Sequence, residues 1–280
     1  MKGKSIMRTL REDNIYQDDT SVGINELLKE NKKVISFLGA SQSGTTFIIN
    51  NIARIMARRD ISVAILDMTS NKDSYYIYTQ NKESIRTNIK DCFKSLSEGK
   101  FLGIEIEKNL TIYTDLPNEK EYSVKVEKIL ETLLKKHQIV LIDTDFSTDF
   151  DYFSYSQQVY LIQTMNVLTI QQLTEFLSKL KSQNVIDDDK IRIILNKYME
   201  IDGITVKQLI GGLAFYNDPS MSYMQQIFEK NGARYTTISY NQHAYERYLQ
   251  DIAKYQISID DNSSEFRNEL ERLTDDVIRG

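Results

Sequence analysis

The stretch from Val34 to Ile55, VISFLGASQSGTTFIINNIARI, limits the fold more than any other part of the chain. Val34 to Leu38 is an unbroken apolar run and reads as a buried strand. The loop Gly39-Ala40-Ser41-Gln42-Ser43-Gly44 follows, bounded by glycine at both ends. Thr45-Thr46 then opens a pattern with apolar residues at Ile48, Ile52, Ile55 and Met56, the spacing of one helix face. Strand, glycine-bounded loop and helix in this order form a phosphate-binding loop when the sequence runs Gly-x-x-x-x-Gly-Lys-[Ser/Thr]. Here the lysine is absent and Thr45 stands in its place. A lone pair of glycines is also an ordinary strand-to-helix turn, so the weight falls on what the rest of the chain adds.

The rest of the chain adds a series of apolar strands separated by helical patterns. Arg58-Arg59-Asp60 ends the first helix, and Ile61 to Leu66 is a second buried strand closing on Asp67. A polar stretch follows from Met68 to about Lys108, with a helical pattern around Ile85 to Leu96, and Leu110 to Tyr113 is a short strand. A helix is expected over roughly Tyr122 to Lys136, with Val124, Val126, Ile129, Leu133 and Leu134 on its apolar face. Ile139 to Ile142 is fully apolar and closes on Asp143. Val159 to Ile162, a helix from Leu168 to Lys181, and Ile191 to Leu195 followed by Asn196-Lys197 continue the alternation. Gly212 to Tyr216 reads as the last strand. A closing helix over Glu265 to Ile278 carries Phe266, Leu270, Leu273 and Val277 on one stripe, with Asn262 read as its cap.

Alternating strands and helices imply an α/β fold, a mostly parallel twisted sheet with helices on both faces. The expected organisation is a lead-in over 1–30, one phosphate-loop domain over 31–260 and a helical extension over 261–280 packed on it.

Composition narrows the function classes. The 280 residues carry a net charge of -5, which disfavours a dedicated nucleic-acid binder. Arg54, Arg58 and Arg59 are accordingly read as a solvated helix end. The single cysteine, Cys92, excludes an internal disulfide and fits a reducing compartment. The start lacks an apolar core, and no run approaches the length of a membrane span, so a cytoplasmic protein is expected.

A phosphate loop works through backbone N–H groups at a helix N-terminus, a lysine on the β/γ oxygens, and a hydroxyl and aspartate on Mg²⁺. The first and third parts are present. Thr46 sits at the metal-binding hydroxyl, Asp143 at the acid of the later strand, and Asp67 is a candidate for holding metal or water. Losing the lysine removes a charged hydrogen bond of about 1.5–3 kcal/mol, roughly a ten- to hundredfold loss of nucleotide affinity. Phosphoryl transfer depends mostly on electrostatics, so hydrolysis should fail before binding. Asp145 and Asp149 read as solvated loop acids, and the tyrosines at 235, 240, 245, 248 and 255 as packing aromatics.

On these residues the chain resembles the ParA/MinD superfamily, whose loop reads Gly-Lys-Gly-Gly-x-Gly-Lys-Thr-Thr. Laid on Gly39 to Phe47, that pattern puts the signature lysine at Ala40 and the second lysine at Thr45; both are lost. The first Asp of the family's Asp-x-Asp matches Asp67, with Thr69 at the second. The metal-region Asp matches Asp143, and the adenine-side Asn matches Asn196. Leu195 to Tyr198, residues 203–208 and Tyr216-Asn-Asp-Pro219 look most like the TadZ/CpaE branch. The resemblance implies ATP and Mg²⁺ as ligands, with Gly39, Ala40, Ser41, Gln42, Ser43, Gly44, Thr45, Thr46 and Asn196 around the nucleotide and Thr46 and Asp143 on the metal. It implies a localisation or assembly factor for a pilus or secretion machine, recruited to the inner face of the membrane through envelope-associated proteins. Family members act as nucleotide-gated dimers; loss of the signature lysine leaves a constitutive dimer or a partner-held monomer as alternatives. The other readings are an active ATPase of the same superfamily, for cell division or plasmid or chromosome partitioning, drawing a lysine from elsewhere, such as Lys72 or a partner subunit, and a pseudo-ATPase that binds no nucleotide; DNA partitioning would need a basic surface that the sequence does not show.

Overall fold

The structure is a computed structural model that describes residues 23–79, 83, 89–117, 124–217, 235–260 and 262–280. Its described elements run α1 (Ile24–Lys29), β1 (Lys33–Gly39), α2 (Thr45–Arg58), β2 (Val63–Asp67), α3 (Asp73–Tyr78), α4 (Cys92–Ser97), β3 (Ile104–Glu107), β4 (Leu110–Tyr113), α5 (Val126–Lys136) and β5 (Ile139–Thr144). They continue with α6 (Phe150–Ser154), β6 (Gln158–Gln163), a single 3-10 turn (Val167–Thr169), α7 (Ile170–Ser182), a second such turn (Asp188–Lys190), β7 (Ile191–Tyr198), α8 (Val206–Asn217), β8 (Tyr235–Ser239), α9 (Gln242–Ala253) and α10 (Ser264–Arg279).

Eight strands form one sheet in the order β3-β4-β2-β5-β1-β6-β7-β8. Every neighbouring pair is parallel except β3–β4, an antiparallel hairpin at one edge. Alternate residues of β1 serve the two faces, as strand geometry requires. Ile35 and Phe37 join the core under α2, α9 and α10. Val34 packs on the opposite face under α1, α4 and α5, and Leu38 on that same face under α7. Helices therefore cover both faces, and the central strands are buried along their length.

The sheet order places β1 between β5 and β6, so the ends of β2, β5 and β1 lie side by side. Phe37 is in register with Asp143, and Asp143 with Asp67. Strand order alone thus brings both aspartates to one edge of the sheet, beside the loop that leaves β1.

Four expectations need correction. Gly212 to Tyr216 is helical, within α8, not a strand. The deciding signal lies upstream: the Thr205 hydroxyl accepts from Gln208 N–H at 3.3 Å, and Gln208 Oε1 accepts from Thr205 N–H at 2.7 Å. That reciprocal pair starts a helix. Gly212 takes φ 62° and ψ -155° inside it, a kink where a Cβ would lie 3.0 Å from Ile170. Second, the outermost parallel strand is instead β8, in which Ile238 is the sole buried residue, so its sequence shows no strand pattern. Third, α5 begins at Val126, with Val124 ahead of it, packed as a partly buried residue; residues 122 and 123 lie outside the described set. Fourth, the cap of α10 is Ser263, whose side chain accepts from Phe266 N–H at 3.3 Å, not Asn262.

The α10 stripe is buried: Phe266, Leu270, Leu273 and Val277 are each at most 4% exposed and share a core with α2. Each such side chain contributes about 1.5–3 kcal/mol at most. The α2 arginines are ion-paired, Arg54 with Glu107 at 3.1 Å, Arg58 with Asp260 at 2.6 Å and Arg59 with Asp275 at 2.5 Å. None of the three presents an unpaired charge for a polyanion.

Candidate functional site

The loop that leaves β1 is held by glycines at two tight points. A Cβ on Gly39 would collide with the hydroxyls of Ser43 and Thr45. Gly44 has φ +89°, a left-handed conformation, and a Cβ there would lie 2.5 Å from Asn196 Nδ2. Between them Ser43 N–H donates to Ala40 O at 3.0 Å, curling the backbone. Ile48 N–H donates to Gly44 O at 3.0 Å, the first bond of α2. The N–H groups before it point out of the helix start, where an anion is favoured.

Two side chains from the end of β7 clamp the loop. Asn196 donates to Ser43 O at 2.8 Å, and Lys197 Nζ donates to Gln42 O at 3.0 Å. Across the loop, Thr46 Oγ1 donates to Asp143 Oδ2 at 2.7 Å. The Thr46 carbonyl accepts from Asn50 at 2.8 Å, and Asn50 accepts from Tyr78 OH at 2.6 Å, which fixes the helix start against α3.

These groups border one cavity of about 900 Å³. It contains every residue from Gly39 to Phe47, with Asp143, Asp145 and Asn196. The opposite wall is apolar and aromatic: Ala244, Tyr245, Tyr248 and Leu249 of α9, with Phe266. Tyr248 stands edge-on to Phe47, ring centroids 5.2 Å apart. A volume of this size takes a drug- or nucleotide-sized ligand.

The electrostatics are acidic. Burial pushes the Asp143 carboxyl well above the usual range, and the Asp67 charge beside it pushes further, while the Thr46 hydroxyl pulls the other way. Burial and Asp67 also raise Asp73. Burial raises Asp145 too, but hydrogen bonds from Ser147 and Ser70 outweigh it and hold that carboxyl below its ordinary value. Burial, with Asp73 and Asp143 nearby, pushes the Tyr248 phenol up to about 12, so it stays a neutral donor.

The sequence-derived residues take different places. Gly39 to Thr46, Asp143 and Asn196 come together around the cavity. Asp67 does not line it: its carboxylate is fully buried and accepts from Thr69 N–H and Oγ1 and from Ser74 N–H, which positions the start of α3. Lys72, considered as a replacement cation, donates to the Asp67 carbonyl at 3.1 Å and lies over the Phe93 ring, outside the cavity. Asp149 caps α6 by accepting from Asp151 N–H. The sequence reading did not place Lys197, Phe47 or the α9 wall in the site. Lys197 was visible beside Asn196, whereas nothing in the polar α9 sequence marks a cavity wall.

The donors suit a magnesium nucleotide in part. One hydroxyl and one carboxylate give Mg²⁺ two protein oxygens, the sparse protein set typical where phosphates and water complete an octahedron. Among the described residues no group of three or more His, Cys, Asp or Glu could form an all-protein metal cage. The loop offers the backbone cradle but no lysine of its own: Ala40 is buried, and the Thr45 hydroxyl is spent on Ser43 Oγ at 2.8 Å.

No family model and no curated protein sequence matches the chain. Solved structures do. A putative plasmid partition protein from Borrelia burgdorferi bound to AMPPNP is 17% identical, with TM-score 0.60 over 89% of this chain and 99% of that one. MinD in the MinC:MinD cell division complex of Aquifex aeolicus is 12% identical, with TM-score 0.60 over 89% and 96%. MinD from Pyrococcus horikoshii complexed with Mg-ADP is 13% identical, with TM-score 0.55 over 88% and 96%. At such identities the shared property is the architecture, and the chain has the phosphate-loop α/β fold of the ParA and MinD ATPases.

Proposed function

We propose that this chain is a ParA/MinD-type positioning or assembly factor that binds Mg-ATP through a lysine-less loop and hydrolyses it weakly or not at all. The observation that carries the reading is the Thr46–Asp143 hydrogen bond of 2.7 Å at the mouth of the curled loop. In this reading the hydroxyl and the carboxylate are the two protein ligands of a phosphate-bound Mg²⁺. The helix N-terminus binds phosphate oxygens, Asn196 holds the loop shape, and the aromatic wall excludes water from one side of the ligand. When bound, Mg²⁺ would neutralise the phosphates and the Asp143 charge together. No lysine of the loop itself stabilises the charge that builds during phosphoryl transfer, and that loss falls on rate more than on binding.

The TadZ/CpaE-like segments support placing the protein among factors that seat an envelope-associated machine, with protein partners and a homodimer as the working state. Among the described residues no helix is long and apolar enough to cross a membrane; in this reading, attachment to the envelope runs through partners.

Phosphate release by the wild type and by Asp143→Ala, in Mg-ATP, tests the reading. Both should stay near the buffer rate. Brisk release that Asp143→Ala abolishes would establish a working ATPase instead.

A further inference from the structure

Among the described residues that line the cavity, Lys197 is the one lysine or arginine. Its position is not what a regular strand would give. Successive side chains of a strand point to opposite faces, so Asn196 and Lys197 should diverge. Instead Lys197 has φ 56°, and the pairing of β7 with β8 shifts register between Asn196 and Tyr198. A bulge of this kind re-aims a side chain. Its result is that both residues reach the same loop, Asn196 on Ser43 O and Lys197 on Gln42 O. A lysine in the left-handed region is uncommon, and such strain gathers where a site needs it.

The ammonium is also underused. It has three N–H donors, and one carbonyl takes one of them. No carboxylate among the described residues pairs with it, and burial alone lowers its pKa, with no neighbouring anion working against that. A half-buried cation with spare donors, at the rim of a helix N-terminus, is suited to an anion.

We propose that Lys197 is the counter-charge of this loop: its ammonium turns from the Gln42 carbonyl to the phosphate oxygens of a bound nucleotide. It thereby stands in, from the end of β7, for the lysines lost at Ala40 and Thr45. This rests on the nucleotide reading of the cavity.

Titration of the full chain with Mg-ATP, Mg-tripolyphosphate and adenosine, in the wild type, Lys197→Met and Lys197→Arg, tests it. Lys197→Met should weaken ATP and tripolyphosphate by about ten- to a hundredfold, the loss of one charged hydrogen bond. Adenosine affinity should not change, and Lys197→Arg should recover most of the phosphate binding. Equal ATP affinity in the wild type and Lys197→Met overturns the role of Lys197 and leaves the nucleotide site standing. Parallel loss of adenosine and ATP shows that Lys197 only shapes the loop, and also overturns it. A wild type that takes up none of the three ligands overturns the nucleotide reading itself, and this proposal with it.

Discussion

The carboxylate of Asp143 accepts one short hydrogen bond, from Thr46, while burial and the Asp67 charge oppose its ionisation. With a folded-state pKa above the unfolded one, its charge costs stability at neutral pH, and the cost disappears in acid, where the group is protonated in both states. Asp143→Asn keeps an acceptor for Thr46 and removes the charge. It should stabilise the free protein by about 1–2 kcal/mol, roughly 3–6 °C in Tm, while Mg²⁺ stops strengthening nucleotide binding. Melting curves at pH 7 with and without Mg-ATP check both halves. His137 behaves in the opposite sense. It is 2% exposed, lies 2.9 Å from Tyr113 OH and 3.1 Å from Ser62 Oγ, and burial, aided by Lys136, lowers its pKa to about 3. The unfolded imidazole binds a proton below about pH 6.5 that the folded one refuses. Stability should therefore fall as the pH drops through that value, by about 2 kcal/mol at pH 5. Urea midpoints at pH 7.5 and pH 5 should converge for His137→Gln relative to the wild type; an unchanged gap contradicts the assignment.

Among the elements, β1 with its loop and α2 was the most legible, because a continuous apolar run, two glycines and a helical period all agree at one place. That agreement singles out Gly39 to Thr46, which the structure brings around one cavity. The misread elements are those where one local signal stood alone. Gly212 to Tyr216 is apolar enough for a buried strand, and only the Thr205–Gln208 pair upstream decides for a helix. β8 presents a polar sequence because it lies at the edge of the sheet. Asp67 was placed correctly along the chain, yet its side chain turns to the α3 start, a direction that no sequence pattern records. Two glycines, Gly44 in the loop and Gly99 after α4, offer a direct check on the loop's geometry. Gly44 and Gly99 both have positive φ, but a Cβ on Gly99 meets nothing within 4 Å, whereas one on Gly44 meets Asn196. Gly99→Ala should cost about 1 kcal/mol from backbone strain alone. Gly44→Ala should cost at least about 1 kcal/mol more and release the Asn196 clamp. Equal losses in denaturant titrations would mean that Asn196 does not press on the loop.

Among the described residues three hydrophobic cores lie around one sheet, and the candidate cavity lies at the strand ends where the topology brings β2, β5, β1, β7 and β8 together. The acidic cluster and the spent Thr45 hydroxyl leave a cavity poor in positive charge, with Lys197 the one lysine or arginine among the described residues that line it. The absence of lysine from the loop is legible as letters, at Ala40 and Thr45. The α9 wall and the Lys197 bulge are not, because they exist only once distant segments meet. On the proposed reading, a metal ion supplies most of the charge that draws ATP into this acidic hollow. The most direct test is a calorimetric titration of ATP into the full chain, first with Mg²⁺ and then with a chelator. A saturating isotherm that vanishes when Mg²⁺ is removed is the expected result. A flat isotherm in Mg²⁺, or binding of equal strength without the metal, would contradict the account.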